Sequence, residues 1–287
     1  TGTTTLAAGA ANNITLDSVG NNFATVSVVN GNNVALADAN ALDLGASTVS
    51  GTLSVTSSGA ITDSGALAVT GTSSLTAGAA NNITLDTAGN NFVGTVSIVS
   101  GNNVTLNAGA INLGTSTIYG ALDVTAGVIT DSGNISVTAG TTTLRGGTNI
   151  TLDNANDFAT VTSTASHVTL NDINAIDLGA TMGHLSLSVT ANGAITQSGR
   201  LYIAGNTTLA AGAANNITLD NANNAFFYTV SVTSANNVTL VSQDEIGGID
   251  LGASTVSGNL NITIVGMGPN NISNSGTLTV AGATSIY

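Results

Sequence analysis

Short runs of an aliphatic, a small polar and a second aliphatic residue recur along the whole chain. Examples are Ile14-Thr15-Leu16, Ile83-Thr84-Leu85, Val104-Thr105-Leu106, Ile150-Thr151-Leu152, Val168-Thr169-Leu170, Ile217-Thr218-Leu219 and Val238-Thr239-Leu240. Alternation of period two puts the aliphatics on one face of a strand and the Thr on the other. Clusters of Gly, Asn and Asp separate the runs and mark turns. The pattern predicts an all-β chain made of many short strands.

A longer period lies over the short one. GTTTLAAGAANNITLD from Gly2 returns as GTSSLTAGAANNITLD from Gly71, as GTTTLRGGTNITLD from Gly140 and as GNTTLAAGAANNITLD from Gly205, and GATSIY begins a further copy at Gly282. The first two intervals are equal, the third is slightly shorter and the fourth is longer. Self-similarity of this kind marks a repeat array, in which each unit buries its apolar face against its neighbours. The expected organisation is one continuous β-solenoid over 1–287, with repeats 2–70, 71–139, 140–204 and 205–281 and the start of a fifth at 282–287. Each large repeat divides again by three: residues 71–94, 95–116 and 117–139 each hold three strand-like runs. That division predicts a parallel β-helix with three short strands per rung of about 23 residues, and about 12 rungs stacked at roughly 4.8 Å.

Aligned on this rung, the middle strand predicts one outward column of Thr15, Thr62, Thr84, Thr105, Thr130, Thr151, Thr169, Thr196, Thr218 and Thr239. Just before that strand stands an Asn at Asn13, Asn33, Asn82, Asn103, Asn149, Asn216 and Asn237, with His167 taking the place in the third repeat. An amide both donates and accepts and tolerates turn geometry, so this set predicts a structural corner bonded from rung to rung. Phe23, Phe92, Phe158 and Phe226 recur once per large repeat and are expected to plug a corner of the core.

Charge narrows the partners. Two Lys or Arg stand against fifteen Asp or Glu, a net charge of −13, which repels nucleic acid and anionic membranes. Only 6% of residues are charged and 42% are apolar, and there is no Cys, so neither a disulfide framework nor a thiolate metal site is available. No apolar run has the length of a membrane span, so no membrane insertion is expected.

Candidate chemistry is sparse. Catalysis on polysaccharide would need paired acid and base groups, and the chain offers only Arg145, Arg200, His167 and His184 beside scattered Asp. Asp43, Asp177 and Asp250 recur in Leu-Asp-Leu or Ile-Asp-Leu runs, with Asn112 at the matching place, and read as solvated outward charges. The acidic turns Thr62–Gly65 and Thr130–Gly133 are the only places where calcium enters as a candidate, and no cofactor is otherwise expected. The Asn-x-Ser/Thr triplets arise wherever a corner Asn precedes an Ile-Thr strand. The fourth repeat is longer, and its extra residues, around Asp244, Glu245 and Pro269, form the candidate binding loops.

The motifs NNITLDNANN (Asn215–Asn224) and GAITDSGALAVTG (Gly59–Gly71) resemble the repeat region of filamentous-haemagglutinin-like bacterial surface proteins of the two-partner-secretion type. The resemblance covers the whole chain and implies a right-handed parallel β-helix, exported and displayed at the cell surface as an adhesin. The family's secretion domain is not recognisable, and none of its functional residues maps onto a position here. The expected function is a non-catalytic extracellular fibre or adhesin stalk, part of a longer array or an end-to-end filament, with a host-cell or glycan receptor as the candidate partner. An ice- or surface-binding Thr face is the alternative, and a carbohydrate-active β-helix enzyme a remote one.

Overall fold

A computed structural model describes residues 2–243, 248–266 and 271–287. The described chain contains strands and turns and no helix, and its paired strands run parallel. It divides into two compact units, residues 1–145 and 146–287, each a parallel β-solenoid.

In the first unit one ladder climbs from Ile14 to Val34, Leu53, Ser73, Val96, Leu113 and Asp131. A second ladder runs through Thr25, Asp43, Thr62, Thr84, Thr105 and Asp123 on a different side of the coil. A smaller sheet joins Ser47–Val49, Leu67–Val69 and Asn91–Phe92. A coil such as Leu53–Ser57, Ile61–Asp63 and Leu67–Val69 thus holds three strands. The second unit repeats the plan. One ladder links Ile150, Val168, Leu187, Thr207, Val230 and Leu251, and the other links Ile176, Ile195, Ile217, Val238, Leu260 and Thr284.

This register corrects the expected rung. Successive members of a ladder, such as Ile14, Val34, Leu53 and Ser73, stand roughly 20 residues apart, at the short end of the range for solenoid repeats. The coil is therefore shorter than the predicted rung, and one large repeat spans three and a half coils rather than three. Ile14 and Ile83 hold equivalent places in successive repeats, yet Ile14 stands on the first ladder and Ile83 on the second, between the coils of Ser73 and Val96. In the second unit Ile150 and Ile217 are divided between ladders in the same way. Ile-Thr-Leu suits both sides because each needs aliphatics inside and a β-former outside. The pattern therefore carries no mark of which side a strand occupies.

The core fills with aliphatics stacked coil on coil: Val26, Leu42, Val55, Ile61, Leu75 and Ile83 in the first unit, and Leu152, Ile195, Leu209, Ile217 and Leu240 in the second, are almost fully buried. Each such side chain contributes roughly 1.5–3 kcal/mol by leaving water. Phe92, Phe158 and Phe226 are buried among them, whereas Phe23 is only half-buried.

A buried serine explains the recurring Gly-x-Ser-Thr motif. Ser47, Ser116 and Ser254 each accept the N–H of Val28, Ile98 or Val232 at 3.0, 3.0 and 2.9 Å, and donate back to the carbonyl of Gly45, Gly114 or Gly252. The glycine leaves room for a hydroxyl on the coil before it. A Cβ on Gly45, Gly114 or Gly252 would lie 2.1, 2.2 or 2.1 Å from the hydroxyl oxygen of Ser27, Ser97 or Ser231.

Candidate functional site

The outward faces carry the polar residues singled out in the sequence, and the coil register decides which of them meet. The ten Thr do not form one column. Thr62, Thr84 and Thr105 follow one another between Asp43 and Asp123, while Thr15 and Thr130 belong to the other ladder, whose intervening outward places include Ala35, Ser54 and Ser74. In the second unit Thr151 and Thr169 are followed by Ser188 and Thr208. Thr196, Thr218 and Thr239 run between Asp177 and Asn261 on the other side. The three-and-a-half-coil repeat is the physical reason. It moves each successive copy of the motif to the opposite side and caps a Thr run at three coils.

The Asn set divides in the same way and bonds upward from coil to coil. The side-chain oxygen of Asn13 accepts from the Asn33 N–H at 3.2 Å and from the Asn32 amide, and that of Asn33 accepts from the Thr52 N–H at 2.9 Å. Asn82 accepts from the Asn103 N–H, and Asn103 from Ala121. Asn216 takes both donors of Asn237, and Asn237 and Asn259 pass the pattern on to Asn259 and Ala283. His167 is paired in register with Asn149, and its Nδ1 lies 2.8 Å from the Ser186 hydroxyl. The corner amide thus satisfies a backbone N–H where the chain turns and the strand ladder lapses.

The outward carboxylates are held rather than loose. Asp43 accepts from the hydroxyls of Thr25 at 3.0 Å, Thr62 at 3.3 Å and Ser64 at 2.5 Å. Asp250 is clasped alike by Thr229 at 2.8 Å, Ser273 at 3.1 Å and Ser275 at 2.6 Å, and Asp177 by Thr196 and Ser198. The Ser275 hydroxyl above all, with Thr229 and Ser273, holds the Asp250 carboxyl below the ordinary carboxylate range. Asp43 and Asp250 each tie their own coil to the coils on both sides.

Other polar residues lie inside: Asp38 and Asp172, which the sequence does not single out, and His184, which it does. Asp38 accepts from the N–H groups of Phe23 at 2.6 Å and Asn40 at 2.8 Å; Asp172 accepts from Phe158 at 2.7 Å and Asn174 at 2.9 Å. Both are buried, and burial pushes the Asp172 carboxyl up against the lowering effect of those two bonds. His184 is fully buried, with Nδ1 2.6 Å from the Ala165 carbonyl and Nε2 3.2 Å from the Ser163 hydroxyl. The carbonyl contact assigns the proton to Nδ1, and burial lowers the imidazole below its usual range. The His184 ring is thus held inside the coil by a partner on each nitrogen.

The acidic turn at Thr62–Gly65 is satisfied by donors. Asp63 accepts from the N–H groups of Asp86 at 3.0 Å and Thr87 at 3.2 Å and from the Asn90 amide at 2.6 Å. Calcium wants a cage of oxygens, and here N–H groups already answer the charge. In the second unit Gln197 and Asn224 replace this pair and exchange two amide bonds, at 2.8 and 2.7 Å. Among the described residues no three His, Asp or Glu side chains gather as a metal site, and no helix is long and apolar enough to cross a membrane. Arg145 pairs with Asp123 on the surface. The candidate loop residues Asp244, Glu245 and Pro269 lie outside the described residues.

Comparison with known proteins gives one match. A family profile described as repeats of unknown function, DUF5649, matches residues 1–30, 31–99, 101–165, 165–233 and 235–287. No curated protein and no solved structure matches.

Proposed function

The chain belongs to the DUF5649 family of repeats, and we propose that it is a non-catalytic structural segment of an extracellular bacterial fibre, an adhesin stalk of the filamentous-haemagglutinin-like kind. The observation that carries this reading is the use of outward polar groups as coil-to-coil ties. The Asn corner bonds backbone N–H groups of the next coil, and the Asp43 and Asp250 clasps span the coils below and above them. A surface whose recurring polar atoms are spent on holding coils together suits a load-bearing rod better than a reacting centre. The body would act through length, carrying further repeats or a receptor-binding element away from the cell. An ice-binding face has less support, since its Thr residues stand in short runs interrupted by Asp, Ala, Ser and Asn instead of one long array.

The test is surface labelling. Antibodies raised against the purified chain should decorate intact cells that carry the gene. Labelling that requires permeabilised cells would overturn the extracellular reading.

A further inference from the structure

The chain holds two histidines, both in its third repeat, and one corner brings them together. His167 bonds Ser186, and His184 stands two residues earlier on the same strand, Ile176–Ala191, fully buried. We propose that His184 is the trigger of an acid-operated joint, whose protonation opens the corner formed by residues 165–166 and 183–186 while the corresponding corners of the other repeats stay closed.

The other repeats show what the joint replaces. His184 pairs with Ile203 and Ile203 with Phe226, as Val49 pairs with Val69 and Val69 with Phe92, so His184 stands where the first repeat has Val49. Val161 pairs with Leu178 as Val26 pairs with Leu44, so Ser163 stands where the first repeat has Val28. The second and fourth repeats keep Ile98 with Ile118 and Val232 with Val256 at these places, all buried. Only the third repeat exchanges the aliphatic pair for a hydroxyl and an imidazole.

A backbone change accompanies the exchange. Gly31, Gly101 and Ala235 each offer their carbonyl to a backbone N–H of the next coil, from Ser50, Tyr119 and Ser257, at 2.9 Å. Ala165 takes the same place, two residues before the corner, and its carbonyl receives the His184 ring instead, at 2.6 Å. The strand bulges on both sides of His184, with Gly183 at φ +79°, and the N–H groups of Leu185 and Ser186 share the single Ser166 carbonyl at 2.6 and 3.2 Å. Met182 and Leu185 beside it are 65% and 53% exposed. An imidazole thus stands in for a ladder bond in a segment that little burial holds, and such segments are the first to open locally.

The neutral ring fits this place and the charged ring does not. Neutral His184 donates from Nδ1 to Ala165 and accepts the Ser163 hydroxyl at Nε2. A proton on Nε2 turns that acceptor into a donor and leaves a buried positive charge, which is costly unless a carboxylate answers it. The coil below supplies Ser163 and Ala165 and the coil above supplies Ile203. The ionisable groups at this corner are His167, held to Ser186, and Arg200, whose guanidinium lies over Tyr202, and both carry positive charge in acid. Asp153, Asp157, Asp172 and Asp177 on the neighbouring strands take no part, since burial lowers the imidazole and only the Ala165 carbonyl opposes it. The contribution of the neutral ring to stability is therefore complete above 6.5 and declines as pH falls below it.

Amide exchange along the wild-type chain between about pH 7.5 and 5 tests the proposal, with each rate taken relative to that of the unfolded chain. Protection of the Leu185 N–H should fall by up to about tenfold per pH unit, the slope of one proton, while the Tyr119 N–H at the second repeat's corner keeps its protection. His184→Asn, which keeps a donor for Ala165 and cannot titrate, should flatten the Leu185 profile. His167→Asn, which restores the corner residue of the other repeats, should leave it sloping. A flat wild-type profile at Leu185, an equal slope at Tyr119, a slope that survives His184→Asn or a slope lost in His167→Asn would each overturn the proposal. The comparison of the two wild-type amides decides even where a variant fails to fold. Failure here leaves the fibre reading standing, since surface labelling tests that separately.

Discussion

Asp172 offers a sharp test of how the solenoid tolerates charge inside. Its carboxylate is fully buried and accepts two N–H groups, from Phe158 at 2.7 Å and Asn174 at 2.9 Å. Replacing it by Ala strands both donors, and the Phe158 side chain beside one of them is itself fully buried. Each orphaned donor costs about 1–3 kcal/mol, partly offset by no longer burying a carboxylate, so Asp172→Ala should destabilise the second unit by about 3 kcal/mol. Asp172→Asn keeps one acceptor and turns an N–H₂ toward the other donor, and should cost about half as much. Urea unfolding, with amide exchange of Phe158 as the local probe, measures both; about 3 kcal/mol corresponds to about a 100-fold gain in local opening. The sign with pH follows from the raised carboxyl: the folded state keeps its proton above 3.8, where the unfolded chain releases it, so the group's stabilising contribution is complete below 3.8 and declines as pH rises through the folded value. Asp172→Asn should remove that slope. An Asp172→Ala chain unfolding within about 0.5 kcal/mol of wild type would refute the argument, because buried N–H groups would then be going unpaired without penalty.

Ser116→Ala removes the acceptor of the Ile98 N–H and should lower the stability of the first unit by about 1–3 kcal/mol in urea melts, while Thr117→Ala on the outward face beside it should cost less than 1. His184 works in the opposite sense to Asp172: its folded value is depressed, so the unfolded chain gains a proton below about 6.5 that the folded chain refuses, and stability should fall between pH 7.5 and 5 in wild type and less in His184→Gln. Arg145→Ala breaks a surface ion pair that is half-exposed on both sides and should change the unfolding free energy by less than about 1 kcal/mol at physiological salt.

The fold class was legible in the sequence because strand alternation survives in every repeat. Ile83-Thr84-Leu85 reads as inward, outward, inward, and its burial follows that order. The coil length was not legible. Three Ile-Thr-Leu-like motifs in each large repeat suggest three rungs, but two sides of the coil use the same motif, and only the pairing of Ala35 with Ser54 and of Thr105 with Asp123 separates them. The Asn corner was readable because amides at turns have a local signature. The Asp43, Asp177 and Asp250 clasps were not, since their partners come from neighbouring coils far along the chain, as with Thr25 and Ser275.

The central claim is that one repeat advances three and a half coils. The natural absence of cysteine makes paired substitutions clean probes. Ala35→Cys with Ser54→Cys places two outward thiols on adjacent coils of one side, and mild oxidation should cross-link them efficiently. Ala35→Cys with Thr62→Cys places thiols on different ladders and should give no cross-link. Efficient cross-linking of the Ala35–Thr62 pair and none of the Ala35–Ser54 pair would mean three rungs per repeat and would contradict the account.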